Sequence, residues 1–325
     1  MLYHGINIGH GYVKYVAIDE AGRELPAVVF PALIAPSEGA VLGALDAAPV
    51  STVRGQGYWT GEDALISGHP RSMLTQERLQ DSVFLAALVK GALARLGATC
   101  AEALAGVAVT GLPATWAEDR DKLQALAARL RDGAPYADLR AIPEPVGAMH
   151  SVLLDAEGRE TGDPSIAGGR WLACDWGHRT DDEVVVDRRR PVRSSLRTYD
   201  TGTAAALERI GQHLAAHFDR DFTAYEVDQA VRAGGVRVFD ELLPLPTNWD
   251  RPLIEQGEQV ALRMYNQYRR ERLDGILLFG GGAAERRKVE PVLRRFPHAV
   301  VVDEPQLAIA RGYARTAVRF GLMSR

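Results

Sequence analysis

Apolar and polar positions along the chain switch repeatedly between a period of two and a helical period. The opening LYHGINIGHGYVKYVAIDEAG carries β-branched and aromatic residues on both sides of the Gly9–Gly11 turn and closes at Gly22, which predicts a β-hairpin. Residues 23–68 hold short apolar runs such as AVVFPALIA, broken at Pro26, Pro31 and Pro36, then QGYWTGEDAL; they predict further small strands leading into a helix. From Gln80 to Leu96 the apolar residues recur at helical spacing, predicting a helix that buries one broad face. VAVTGLP, Val107 to Pro113, reads as a strand stopped by Gly and Pro, and ATWAEDRDKLQALAARLRDG as an amphipathic helix with Gly133 just past its end. IPEPVGAMHSVLLDA then supplies a proline-flanked acid and a helix with Pro145 in its first turn.

The polar, glycine-rich segment from Asp155 to Gly169 is the predicted boundary between two lobes. Directly after it RWLACDWGHRTDDEVVVDR repeats the strand, glycine turn, strand pattern, with Asp175 ending the first arm. Positions 7 and 175 are 168 apart, about one domain length, which suggests two related lobes that each open with such a hairpin. Helical patterns resume at TAAALERIGQHLAAHF, EVDQAVRAGG and PLIEQGEQVALRMYNQYRRERL. DGILLFGGGAAERRKVEPVLRRF predicts a buried strand, a triple glycine and a helix with Glu285 in its first turn and a basic remainder; HAVVVDEP and QLAIARGYARTAVRFG predict a last strand and helix.

Composition narrows the class. A chain of 325 residues is long enough for two cores, and 46% hydrophobic with 25% charged residues and 32 glycines describes a folded α/β protein with many tight turns. A net charge of −4 gives no global attraction to nucleic acid, so direct binding to it is not expected. Two cysteines, Cys100 and Cys174, are too few for a disulfide framework, and Cys174 in its apolar run is expected to pack. The start has no cationic stretch before an apolar run, and no uncharged apolar run reaches the roughly 18 residues of a membrane span; a cytoplasmic protein without membrane contact is expected.

The turns carry the candidate chemistry. In GHG, Gly9 and Gly11 free the backbone to present N–H groups to an anion, and Lys14 adds a point charge; alternatively the glycines only make a tight turn and Lys14 is solvated. DWGHRTDD offers the Asp175 carboxylate for a magnesium-bound water, amides around Gly177 and the Thr180 hydroxyl, or else is a charged surface turn. GGGA, Gly280 to Ala283, lets a ligand approach bare backbone near a helix N-terminus. It fails the G-x-G-x-x-G fingerprint, since Glu285 stands at the last glycine, and the chain has no P-loop motif. Glu144 in PEPVGA can position or deprotonate a water, or merely complement a helix dipole. His10, His178 and Asp175 form a conceivable zinc set, though loop histidines beside phosphates more often donate hydrogen bonds. The run DRRRPVRSSLR, Asp187 to Arg197, holds five arginines and is either a docking strip or a solvated hairpin tip, and Trp176 packs either on a ligand or on its own lobe.

Taken in order, NIGHGYVK, VAVTGLPATW, PEPVGA, CDWGHRTDD, LLFGGGA and PQLAIARGY resemble the actin-like ATPases, and among them the plasmid-segregation actins of the ParM/StbA type. The resemblance implies a two-lobed α/β fold of two RNase H-like domains with ATP and Mg2+ in the cleft between them. The first lobe would be residues 1–155, with a C-terminal helix of about 310–325 returning to it, and the second 156–309. By matching position, Asn7, Gly9, His10, Gly11, Tyr12 and Lys14 would form the first phosphate loop, and Asp175, Gly177, His178, Arg179 and Thr180 the second. Gly280, Gly281, Gly282 and Ala283 would meet the adenosine side, Gly202 would approach the nucleotide, and Glu144 would orient the attacking water. The family usually has Asp at the position of Asn7. An amide still accepts a hydrogen bond from a metal-bound water but brings no charge, so weaker magnesium dependence or slower hydrolysis is expected, with Asp175 as the main acidic anchor. The resemblance further implies nucleotide-dependent filaments of the chain with itself and a DNA-binding adaptor as partner, for plasmid or DNA segregation. A non-polymerising ATP-sensing scaffold and a small-molecule kinase of the same superfamily are the alternatives.

Overall fold

The computed structural model describes residues 1–37, 49–66, 70–72, 79–97, 105–116, 119–131, 134, 136–160 and 163–323. Cys100 and Gly133 lie outside them. In chain order the first part contains β1 (Leu2–Ile8), β2 (Tyr12–Asp19), β3 (Val28–Pro31), β4 (Leu33–Pro36), β5 (Ser51–Val53), β6 (Gln56–Thr60), α1 (Glu62–Ile66), β7 (Arg71–Ser72), α2 (Ser82–Arg95), β8 (Val107–Leu112), α3 (Arg120–Arg131), β9 (Asp138–Pro143) and α4 (Glu144–Leu153). The second contains α5 (Pro164–Gly168), β10 (Arg170–Trp176), β11 (Asp181–Asp187), β12 (Arg190–Pro191), β13 (Arg197–Tyr199), α6 (Ala204–Phe218), α7 (Ala224–Ala233), β14 (Gly235–Val238) and β15 (Glu241–Pro244). It continues with α8 (Arg251–Tyr268), β16 (Gly275–Phe279), α9 (Arg286–Arg295), β17 (Ala299–Val301) and α10 (Ala308–Met323).

The repeat suggested by the two hairpins extends to whole sheets. The first has strand order β3-β2-β1-β8-β9 and the second β12-β11-β10-β16-β17, with β13 also on β11. In each, the opening hairpin is antiparallel and the next two strands are added in parallel. Both opening strands are buried almost throughout, as expected where helices cover both faces of a parallel region. Two smaller sheets, β5-β6-β4-β7 and β14-β15, accompany them; the β14-β15 hairpin has no counterpart in the sequence-based expectations.

Helix ends follow local chemistry. Asp81 caps α2 by accepting from the Phe84 N–H at 2.9 Å, and Thr223 and Glu226 form a reciprocal capping box on α7, which stops at left-handed Gly234. Glu285 is the N-cap of α9 rather than part of its first turn, its carboxylate accepting from the Arg287 N–H at 3.1 Å.

Between the two large sheets lies a shared core in which α4 and α10 are packed. Val109, Met149, Val184, Phe279, Tyr313 and Ala317 all belong to it. The C-terminal helix α10 rests on β1, β2 and β8 of the first sheet, so the chain ends where it began. Close crossing of α4 and α10 depends on Gly312 and Gly147: a Cβ on Gly312 would lie 1.8 Å from the Gly147 carbonyl oxygen. Outside this layer, α2 and α3 cover the far face of the first sheet and α8 and α9 that of the second.

Candidate functional site

Register brings equivalent residues of the two hairpins to equivalent places. Asn7 pairs with Lys14 across the first, and Asp175 with Asp182 across the second. The first hairpin thus presents an amide and a cation, the second two carboxylates. Each turn is closed by its leading glycine: the Gly9 N–H donates to the Tyr12 carbonyl at 3.0 Å and the Gly177 N–H to Thr180 at 2.8 Å. These two N–H groups are therefore spent on the turns and are not donors for an anion. The tips meet, since a Cβ on Gly11 would lie 2.9 Å from the His178 ring.

Beside the hairpins cluster three buried carboxylates. Oxygens of Glu144, Asp175 and Asp182 all come within 4.8 Å of one another. Glu144 opens α4, so its backbone sits at the positive end of that helix. Asn7 links this cluster to the lysine: its Nδ2 donates to Glu144 Oε1 at 3.2 Å, and its Oδ1 accepts from Lys14 Nζ at 3.2 Å. Asp182 accepts from the Ala114 N–H at 3.1 Å, Thr198 Oγ1 at 2.5 Å and Thr180 Oγ1 at 3.1 Å.

Burial raises the Asp175 carboxyl well above the ordinary range, the neighbouring Glu144 and Asp182 charges raise it further, and Lys14 opposes them. Burial lifts Asp182 to about 6 despite its donors. Asp182 was not among the expected site residues; its signal in the sequence was its place directly across the hairpin from Asp175. His10 and His178 are absent from the group close enough to share an ion.

The strand β11, which carries Asp182, is anchored from behind. Asp181 forms a 3.2 Å pair with Lys288, both fully buried, and Glu183 accepts from Arg263 at 2.5 Å and Tyr268 at 2.9 Å. DWGHRTDD is accordingly a buried ionic hairpin and not a charged surface turn. The arginine run after it is an exposed tip in which Arg189 pairs with Glu160 at 2.7 Å.

The third wall comes from the turn after β16. Gly280 has φ +86°, and a Cβ there would lie 2.2 Å from Asp175 Oδ1, so glycine is required both by conformation and by the approach to the carboxylate. A Cβ on Gly281 beyond it would meet only Gln306 Cγ, at 3.8 Å.

These walls enclose a cavity of about 360 Å³. Asn7, Gly9, His10, Gly11, Tyr12 and Lys14 line it from the first hairpin; Asp175, Gly177, His178 and Thr180 from the second; and Glu144, Gly280, Gly281 and Gly282 complete the expected set. Three expected residues do not line it. Arg179 is exposed, Gly202 packs against the Arg179 backbone, where a Cβ would lie 2.1 Å away, and Ala283 is buried in its turn. Trp176 is fully buried in the core under α8 and α9, with Lys288 Nζ 5.0 Å from its ring centroid. Sequence reasoning missed the remaining wall: Thr203 and Leu207 beside and on α6, Asp228, Val231 and Arg232 on α7, Leu253 on α8, Arg286 and Arg287 on α9, and Gln306. Their i, i+3, i+4 spacing on α7 was visible, but which face turned to a ligand was not.

No helix among the described residues is long and apolar enough to cross a membrane. No protein-family model matches the chain, and no curated protein matches it by sequence. Solved structures do match. An archaeal actin homologue, Ta0583, superposes with TM-score 0.72 at 17% identity over 98% of this chain and 100% of that one, and it has also been solved in complex with ADP. A ParM filament from Clostridium botulinum matches with TM-score 0.74 at 17% identity, covering 98% and 99%, and the actin-like protein Alp7A with 0.72 at 13%, covering 99% and 97%. With two repeated sheets, a cleft walled by their opening hairpins and full-length superposition on these structures, the chain has the actin-like ATPase fold.

Proposed function

We propose that this protein binds and hydrolyses ATP and polymerises into nucleotide-dependent filaments that move or position DNA through an adaptor protein. The observation that carries the reading is the convergence of two glycine hairpins, Lys14, Glu144 and Asp175 on one cavity, with the Asp182 carboxylate within 4.8 Å of the other two. In this reading Lys14 and the hairpin tips meet the phosphates, and Gly280–Gly282 with Arg286 and Arg287 meet the nucleoside side. Glu144, aimed by the Asn7 amide, orients the water that attacks the terminal phosphate, a task of positioning and electrostatics.

Hard oxygen donors this close together suit Mg2+, which when bound neutralises developing phosphate charge. Asp175 and Glu144 would hold it through its water shell, and Asn7 would contribute only a neutral acceptor. The ParM filament among the structural matches supports self-assembly, and the ADP complex of Ta0583 supports the nucleotide.

Pelleting and negative-stain imaging with ATP and with ADP, alongside phosphate release, test the proposal. Sedimenting filaments with ATP and measurable phosphate release are expected; absence of assembly with either nucleotide at high protein concentration would overturn the filament claim. A second reading, an ATP-sensing scaffold without turnover, is favoured by the missing charge at Asn7. Tight ATP binding with no phosphate release would select it.

A further inference from the structure

The lobes are joined differently on the two sides of the cleft. Where the chain passes between them, ion pairs bridge them. Arg311 donates to both Glu24 oxygens and to Glu304 at 2.7 Å, and Glu160 accepts from Arg189 at 2.7 Å and Arg319 at 2.9 Å. On the open side the contacts are lighter. Tyr12, at the end of the first hairpin turn, donates its hydroxyl hydrogen to Asp228 Oδ2 on α7. Asp228 accepts a second bond from Arg232 Nε at 2.8 Å, and the Arg232 guanidinium lies 5.3 Å from the Tyr12 ring centroid. The nearby Tyr225 hydroxyl reaches Glu62 only at 3.4 Å.

Tyr12 and Asp228 also occupy a partition. Both line the 360 Å³ inner cavity and a second, outer cavity of about 640 Å³ that extends toward Pro31, Leu33, Gly211 and Phe222. We propose that the Tyr12–Asp228 bond is a latch that holds the lobes together at the mouth of the cleft and gates ligand exchange between the outer and inner cavities. That the exchanging ligand is a nucleotide rests on the functional reading above.

Three features suit the bond to this task. The partners are 216 positions apart in the chain and sit on opposite lobes, so the lobes cannot part at the mouth without breaking it. The Asp228–Arg232 pair lies wholly on α7 and survives opening, which leaves the Tyr12 hydroxyl as the component that the first lobe supplies. Burial and the Asp228 charge both push the Tyr12 hydroxyl up from its ordinary pKa, keeping it a donor at all physiological pH values. A hydrogen bond to a charged acceptor shifts an equilibrium by roughly ten- to a hundredfold, enough to set whether the ligand-free cleft rests closed or open.

Tyr12→Phe removes the hydroxyl and keeps the ring. Small-angle scattering of the ligand-free full chain reads lobe separation, and stopped-flow release of a fluorescent ATP analogue reads gating. The variant is expected to have a larger radius of gyration than the wild type and to release the analogue roughly tenfold faster or more. An unchanged radius of gyration overturns the latch, and so does an unchanged release rate. If the wild-type chain takes up no nucleotide, the functional reading fails, and the scattering comparison alone decides the latch.

Discussion

Replacing Asn7 with aspartate restores the acid that the resemblance leads one to expect, and the structure sets the size of its effect. The exchange converts the Nδ2 that donates to Glu144 at 3.2 Å into a carboxylate oxygen, while Oδ1 still faces Lys14 at 3.2 Å. Two unit charges at that separation repel by about 5 kcal/mol at an effective dielectric constant of 20, and Lys14 returns an attraction of similar size. What remains is the lost hydrogen bond to a charged acceptor, roughly 1.5–3 kcal/mol, with added repulsion from Asp175. Without divalent cation, Asn7→Asp should therefore lower urea-unfolding stability by about 2 kcal/mol. Mg2+ with nucleotide should recover that loss, lower the half-saturating Mg2+ concentration and speed phosphate release. Urea unfolding in EDTA and in Mg2+, with a phosphate-release titration, provides the assay. If magnesium requirement and release rate both match the wild type, Asn7 does not limit this site and the reasoning is wrong.

Three further outcomes are expected. Gly280→Ala forces a side chain into φ +86° and 2.2 Å from Asp175 Oδ1, and should cost roughly 1–3 kcal/mol in urea unfolding while weakening nucleotide binding by calorimetry; unchanged values would refute it. Lys288→Met strands the buried Asp181 carboxylate and should cost roughly 3–5 kcal/mol, most of it recovered by adding Asp181→Asn; a loss below about 1 kcal/mol would contradict the pairing. His150, buried against Thr316 Oγ1 at 2.7 Å, has its pKa lowered from 6.5 to about 4, chiefly by desolvation. As pH falls below 6.5 the unfolded chain takes up a proton that the folded chain refuses, so this residue's contribution is present above 6.5 and lost toward 4. Between pH 7 and 5 it amounts to roughly 2 kcal/mol, and His150→Gln should show a correspondingly shallower decline across that range; an equal slope would argue against it.

Much of the site was legible because its parts are local. The hairpin around Asn7 and the one around Asp175 were readable from apolar residues flanking glycine turns, and GGGA from the strand before it and the helix after it. Trp176 shows how a local pattern can mislead. An aromatic residue in a phosphate-loop candidate invites a ligand contact, yet strand alternation sends Trp176 and its neighbour Asp175 to opposite faces, one to the core and one to the cleft. Lys288 appeared as one cation in a basic helix, and only packing revealed that it turns inward to Asp181.

The sequence by itself determined most of the elements, the glycine turns and the duplicated order of hairpin, strand and helix, because periods of two and 3.6 and the conformational freedom of glycine act over a few residues. Tertiary structure decided which distant groups share an environment: Glu144 with Asp175 and Asp182, Asn7 between Lys14 and Glu144, and Tyr12 against Asp228. The reason is physical. Charge interactions and hydrogen bonds depend on separation in space and on burial, and neither is written in the spacing of residues along a chain.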